Sequence, residues 1–221
     1  MSGFATYPSL KGRSVLVTGG GSGIGAAIVQ AMAGQGSKVA FIDFDAEASR
    51  KTVDEVVAAG HAAPLFLEAD LRDIEALRAA VAKAAEAHGD ITVLVNNAAR
   101  DDRHPFAEVT SEYWDDRIAM NLKHQFFCAQ AVQPMMQRQG GGSIVNMGSV
   151  SWVAGQGGMH AYTASKAGGL GLTRGQAELM RRQCLKRKLY PDEIARVVLF
   201  LASDDSSAMT NQQYLADGGW V

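Results

Sequence analysis

Cysteine and proline are scarce in this chain, and long apolar runs are missing. The two cysteines, Cys128 and Cys184, have neither metal-ligand spacing nor the density of a disulfide framework, so a reduced, cytoplasmic protein without a metal site is expected. Five prolines leave no proline-rich linker. No stretch approaches the roughly 20 apolar residues that span a bilayer, and Met1–Pro8 lacks the basic start and apolar core of a secretory signal. An excess of either charge is lacking as well. Lys and Arg number 21 against 23 Asp and Glu, a formal net charge of −2, which leaves no electrostatic footprint for nucleic acid or an anionic membrane surface. Small molecules are the expected partners.

What is present is a chain of 221 residues, 47% hydrophobic, long enough for one well-buried domain and short for two. Val15–Val17 is a short strand-type run, and Ile24, Ile28 and Met32 recur every four residues as one predicted helix face. Between them lies Gly19-Gly20-Gly21-Ser22-Gly23-Ile24-Gly25. A glycine turn at a strand-to-helix junction lets backbone approach a phosphate closely, and the unpaired first amides of the helix favour an anion. A second strand, Lys38–Ile42, closes in Asp43 about twenty residues past the turn, where a carboxylate can accept both ribose hydroxyls of an adenosine. The same carboxylate would repel a 2′-phosphate, which favours NAD over NADP.

The alternation of strand and helix continues. Helix Ala46–Ala59 stops at Gly60, a strand near Ala63–Leu67 leads to Asp70, and a helix runs from Asp73 to about His88. Asp70 either caps that helix or receives an adenine amino group. Strand Ile91–Val95 ends in Asn96-Asn97-Ala98-Ala99, and a long helix is expected from Thr110 to about Arg138, with Trp114, Ile118, Leu122 and Phe126 as a mostly buried stripe. Asn121 stands on it as an amide among apolar neighbours. Ser143–Met147 is a fifth strand. These elements predict a single doubly wound α/β domain of Rossmann type, mostly parallel, with helices on both faces and ligands at the ends of the first and fourth strands.

Past the fifth strand come Ser149 and then Tyr162-Thr163-Ala164-Ser165-Lys166. Tyr162 and Lys166 are one helical turn apart and share a face. A free tyrosine, with a pKa of about 10, is a poor base at neutral pH. A nearby ammonium favours the phenolate and brings it toward the working range.

Thr18-Gly-x-x-x-Gly-x-Gly25, Asn96-Asn97-Ala98-Ala99, Asn121, Ser149 and Tyr162-x-x-x-Lys166 together resemble the short-chain dehydrogenase/reductase family, over about Leu10 to Ala177. Ala99 stands where that family more usually has glycine. The resemblance implies a catalytic set of Asn121, Ser149, Tyr162 and Lys166. Tyr162 would be the acid/base and Ser149 the donor to the substrate oxygen. Lys166 would lower the tyrosine pKa and bind the nicotinamide ribose, and Asn121 would hold main chain and a water on the proton path. It further implies that Gly19, Ser22, Gly23, Ile24, Gly25, Asp43, Asp70, Leu71, Asn97, Ala98, Ala99, Tyr162 and Lys166 contact NAD, and that the chain forms a homodimer or homotetramer.

Two stretches flank the expected pocket, Arg100–Pro105 and Trp152–His160. Asp101, Gln156 and His160 offer hydrogen bonds to hydroxyls, and Trp152 either stacks on a sugar face or pins its own loop. The runs Asn97–His104, Tyr113–Ile118 and Asn121–Phe127 resemble the aldose 1-dehydrogenase branch, which implies a sugar substrate oxidised to its lactone. The alternatives are a 3-oxoacyl carrier-protein reductase and a catalytically impaired NAD-binding or assembly protein.

The third reading has a specific origin. After Glu178 the family's sixth strand and substrate-binding segment are missing, and Leu179–Leu185 runs straight toward a helix from Pro191 and a last strand at Gln213–Ala216. Either the sequence omits a segment near 178–181 or the polypeptide lacks it. Omission is favoured, because the family's signals resume in register. The basic run Arg181–Lys188 is read as a solvated connection rather than a nucleic-acid signal.

Overall fold

The computed structural model describes residues 6–181, with side chains through 176. The helix from Pro191 and the last strand expected from the sequence lie outside the described residues. Residues Pro8–Leu172 form one compact unit, which carries the whole described sheet.

That sheet has five strands: β1 (Ser14–Thr18), β2 (Lys38–Asp43), β3 (Leu65–Glu68), β4 (Val93–Asn96) and β5 (Ser143–Asn146). Their order is β3-β2-β1-β4-β5, every neighbouring pair parallel, with Thr18 opposite both Ile42 and Asn96. The strand order therefore reverses between β1 and β4, so a crevice opens beyond their carboxyl ends. Parallel strands covered on both faces read as unbroken apolar runs. Val15 and Val17 join Val29, Val39, Phe41, Val56 and Val95 in one core cluster, while Leu16 and Leu94, of the opposite parity, are equally buried.

The connecting helices are α1 (Gly23–Gly34), α2 (Ala46–Ala58), α3 (Ile74–His88), α4 (Ser111–Ile118), α5 (His124–Arg138) and α6 (His160–Arg181). Asp73, not Asp70, caps α3, accepting from the Glu75 and Ala76 amides. In α1 the buried positions are Gly25, Val29 and Ala33. Ile28 and Met32 pack partly against the core, but Ile24 is exposed at the crevice.

The long helix expected from Thr110 to Arg138 is interrupted. Thr110 caps α4, and a π-helical turn at Ala119–Lys123 separates α4 from α5. A π-turn inserts an extra residue and rotates the helix face, so the expected stripe does not stay inward. Trp114 and Phe126 are exposed, Ile118 and Leu122 half-buried, and the buried face runs through Arg117, Met120, Asn121, His124, Gln125 and Cys128.

Candidate active site

A cleft of about 350 Å³ opens beyond the ends of β1 and β4. Its floor is backbone. Gly19, at φ 69°, donates its amide to the Ile42 carbonyl at 2.7 Å. A Cβ there would press on Ala98, and one at Gly25 would fall on the Gly19 carbonyl oxygen. The Thr18 hydroxyl accepts from the Asn97 and Ala98 amides, and the Asn97 side chain donates to the Thr18 and Gly19 carbonyls. Ser22 precedes α1 without capping it through its side chain, so the first amides of that helix stay available to an anion. Asp43 is buried at the end of β2 and accepts from the Gly21 amide at 2.8 Å and the Asp45 amide at 3.0 Å.

Of the expected nucleotide residues, Gly19, Ser22, Ile24, Gly25, Asp43, Leu71, Asn97, Ala98, Ala99, Tyr162 and Lys166 line this one cleft. Gly23, at φ 55°, opens α1 and does not line the cleft. Asp70 does not line it. Arg72 beside Asp70 holds that carboxyl below the usual carboxylate range, through a bidentate pair in which Nη2 donates to Oδ2 at 2.6 Å and Nε to Oδ1 at 3.0 Å. Phe44, Asp45, Ala69, Met120, Met147 and Gly148 line the cleft although sequence reasoning missed them. Phe44 and Ala69 directly adjoin residues it did single out, and that adjacency was the available signal.

At the other end, α6 delivers Tyr162 and Lys166 together. Lys166 is 4% exposed and donates from Nζ to the Met147 carbonyl at 2.7 Å, with Nζ 5.6 Å from the Tyr162 ring centroid. Burial pulls the Lys166 ammonium below the ordinary lysine value. Asn121 is fully buried in the π-turn and clasps Arg100 by both backbone groups, accepting from its amide at 2.7 Å and donating to its carbonyl at 3.0 Å. Gln125 donates to the Asn121 carbonyl at 2.9 Å. Ser149 follows the cleft-lining Gly148; its hydroxyl bonds that of Ser151 at 2.9 Å and accepts the Ser151 amide.

Among the expected substrate residues, Asp101 lines the cleft, whereas Ser149, Trp152, Gln156 and His160 do not. Trp152 and Gln156 are exposed, and the His160 ring meets Phe106 edge-on at 5.1 Å. Among the described residues, no cluster of His, Cys, Asp and Glu could hold a metal, and no helix is long and apolar enough to cross a membrane.

Residues 13–186 match the family model of short chain dehydrogenases, and residues 175–221 match one described as enoyl-(acyl carrier protein) reductase. The chain belongs to the short-chain dehydrogenase/reductase family. It is 45% identical to the Rhizobium meliloti protein named "Probable galactose dehydrogenase GalD", with 96% of each chain covered, and 41% identical to the D-xylose 1-dehydrogenase of Caulobacter vibrioides, with 98% of each covered. Among solved structures, a metagenomic short-chain oxidoreductase in complex with NADP is 33% identical, at a TM-score of 0.76, over 94% of this chain and 96% of the other. This short-chain dehydrogenase/reductase is an NAD(P)-dependent oxidoreductase with a Rossmann-type parallel sheet.

The cleft fits a dinucleotide on its own geometry. Glycine positions at which a Cβ would be excluded, a helix start without a side-chain cap and a buried carboxylate at the end of β2 are all present at one crevice.

Proposed function

We propose that this enzyme is an aldose 1-dehydrogenase that oxidises the anomeric hydroxyl of a pyranose to the lactone, with NAD as acceptor. The observation that carries the reading is the convergence of Tyr162 and Lys166 on the cleft that also holds the glycine turn and Asp43. The nicotinamide, when bound, supplies the hydride acceptor. Tyr162 takes the hydroxyl proton at its phenolic oxygen, with the Lys166 ammonium beside its ring. Ser149 donates to the substrate oxygen once the substrate displaces its bond to Ser151. Asn121 fixes the Arg100 backbone, and so the wall that carries Asp101.

Gly19, Ser22, Gly23, Ile24 and Gly25 hold the pyrophosphate, and Leu71, Asn97, Ala98 and Ala99 wall the dinucleotide. Asp43 selects NAD, because a carboxylate at the ribose repels a 2′-phosphate. Asp70 reaches the adenine end only if Arg72 releases it. Trp152, Gln156 and His160 approach the sugar from the second loop. The sugar reading draws support from the names of the relatives at 45% and 41% identity. Exposed Trp114 and Phe126 on α4 and α5 support a homodimer or homotetramer.

The test is turnover of a panel of D- and L-aldoses, with NAD and NADP run side by side. Lactone formation is expected with at least one pyranose, at a kcat/KM higher with NAD than with NADP. NADH binding without turnover of any aldose would sink the sugar assignment.

A further inference from the structure

Arg117 does something that neither catalysis nor nucleotide binding uses. Its side chain is 9% exposed although it belongs to α4, a helix otherwise largely exposed. A charged side chain is seldom buried unless paired, and this one is paired twice. Nη1 meets Asp102 Oδ1 at 2.8 Å, and Nη2 meets Asp116 Oδ2 at 2.5 Å. Tyr113 covers it, with the guanidinium carbon 5.3 Å from the ring centroid, and donates its hydroxyl to the Asp102 carbonyl at 3.3 Å.

The contacts continue from Asp102 outward. His104 lies against Tyr113 with ring centroids 4.0 Å apart, and its amide donates to the Gly158 carbonyl at 2.7 Å. Gly158 belongs to the second loop at the mouth of the site, the one leading to His160. Asp101, adjacent to Asp102, lines the cleft itself. Both loops at the substrate side are thus strung to α4, and the string is anchored at one buried guanidinium.

We propose that Arg117 is a positioning residue for sugar binding: through Asp102 and Tyr113 it holds the segment Asp101–His104, and through His104 the Gly158 backbone, in the arrangement that receives the pyranose hydroxyls. The part concerning the substrate rests on the aldose reading above. Because the planar fork makes two separate charge-assisted bonds and stacks on a ring, lysine replaces it only in part. Removing it leaves Asp102 without its cationic partner while Asp116 keeps Arg72, and it frees the loop, while the glycine turn and the Tyr162–Lys166 pair lie on other elements.

Three variants test this: Arg117→Met, Arg117→Lys and Asp102→Asn, the last being a change at a half-exposed carboxylate that tolerates an amide. Loss of the charge-assisted bond between Arg117 and Asp102 is expected to raise the aldose KM on the order of tenfold in Arg117→Met, with kcat and the KM for NAD within about twofold. Arg117→Lys should recover part of the loss, and Asp102→Asn should reproduce it, with no further rise in the Arg117→Met/Asp102→Asn double variant.

Hydrogen exchange of the peptide covering residues 100–104 gives a readout that needs no substrate. Exchange there should speed up in Arg117→Met and Asp102→Asn, while β1 and α1 keep wild-type protection. Unchanged exchange in both variants would overturn the proposal, as would a kcat falling in step with the rise in aldose KM. If the wild-type enzyme turns over no aldose, the sugar reading fails, and the exchange experiment alone decides whether Arg117 holds the loop.

Discussion

The two ends of the cleft are built from different materials. At the nucleotide end every contact has a main-chain partner: the Gly19 amide on the Ile42 carbonyl, the Asn97 and Ala98 amides on the Thr18 hydroxyl, and glycines where no Cβ fits. At the substrate end the contacts are side-chain and more exposed, running from Arg117 to Asp102, from His104 to Tyr113 and from Phe106 to His160. Backbone geometry recognises what every substrate pairing shares, the dinucleotide. Side chains can be exchanged without disturbing the sheet, and in the proposed reading they sit where one substrate must be told from another. Between the two lies the Tyr162–Lys166 pair, held from below by the Met147 carbonyl at the end of β5.

The difference can be broken most sharply at the centre. Tyr162→Phe keeps the ring that faces Lys166 and removes the proton acceptor, so kcat is expected to fall by about two to four orders of magnitude. NADH binding, read by fluorescence titration, should stay near wild type. A Tyr162→Phe enzyme with more than a tenth of wild-type kcat would remove the residue from the acid/base role.

A smaller effect is expected at the nucleotide end. Gly25→Ala places a methyl group on the Gly19 carbonyl oxygen, and relief requires the turn itself to move. Overpacking of this kind costs about 1–3 kcal/mol, and the loss should appear as weaker NADH binding and a lower thermal midpoint. A variant that binds NADH normally would show that the turn yields, and that the backbone end of the cleft is less rigid than its contacts imply.

The buried face below the site supplies the third test. Burial pulls the His124 imidazole down to about 4, against a weaker upward pull from the Met120 carbonyl. Above the unperturbed value of about 6.5, folded and unfolded chains both hold it neutral, and the shift has no effect on stability. Between about 6.5 and 4 the unfolded chain takes up a proton that the folded chain refuses, so stability falls as pH falls. The total is of the order of 3 kcal/mol at pH 4 and is reached progressively. Urea midpoints measured from pH 7 to pH 4 should fall steeply in the wild type and less steeply in His124→Gln. Parallel slopes would assign the acid sensitivity to other groups.

Much of the nucleotide end was legible before the fold was known, because its signals are local. A glycine turn between an apolar run and a helix, and an acid closing the next strand, are matters of spacing along one βαβ unit, and Gly19, Gly25 and Asp43 meet at the cleft as that spacing required. The Tyr162–Lys166 pair was legible for the same reason, since one helical turn fixes their shared face. The helix predicted over Thr110–Arg138 failed at the π-turn, where apolar periodicity alone does not reveal an inserted residue. The outward turn of Phe126 follows from that rotation, whereas Trp114 precedes the π-turn and is exposed because α4 buries its Arg117 position instead.

Asp70 and Arg117 mark the limit from opposite sides. The sequence by itself determined which elements form and which residues within one unit share a face, because those depend on covalent spacing and on periods of 2.0 and 3.6 residues. It had no means of assigning Asp70 to Arg72 rather than to the cleft, or of burying Arg117 between Asp102 and Asp116. Those outcomes depend on Arg72 meeting Asp116 and Arg117 meeting Asp102 from separate segments, and only the tertiary packing of α4 against the loops decided that.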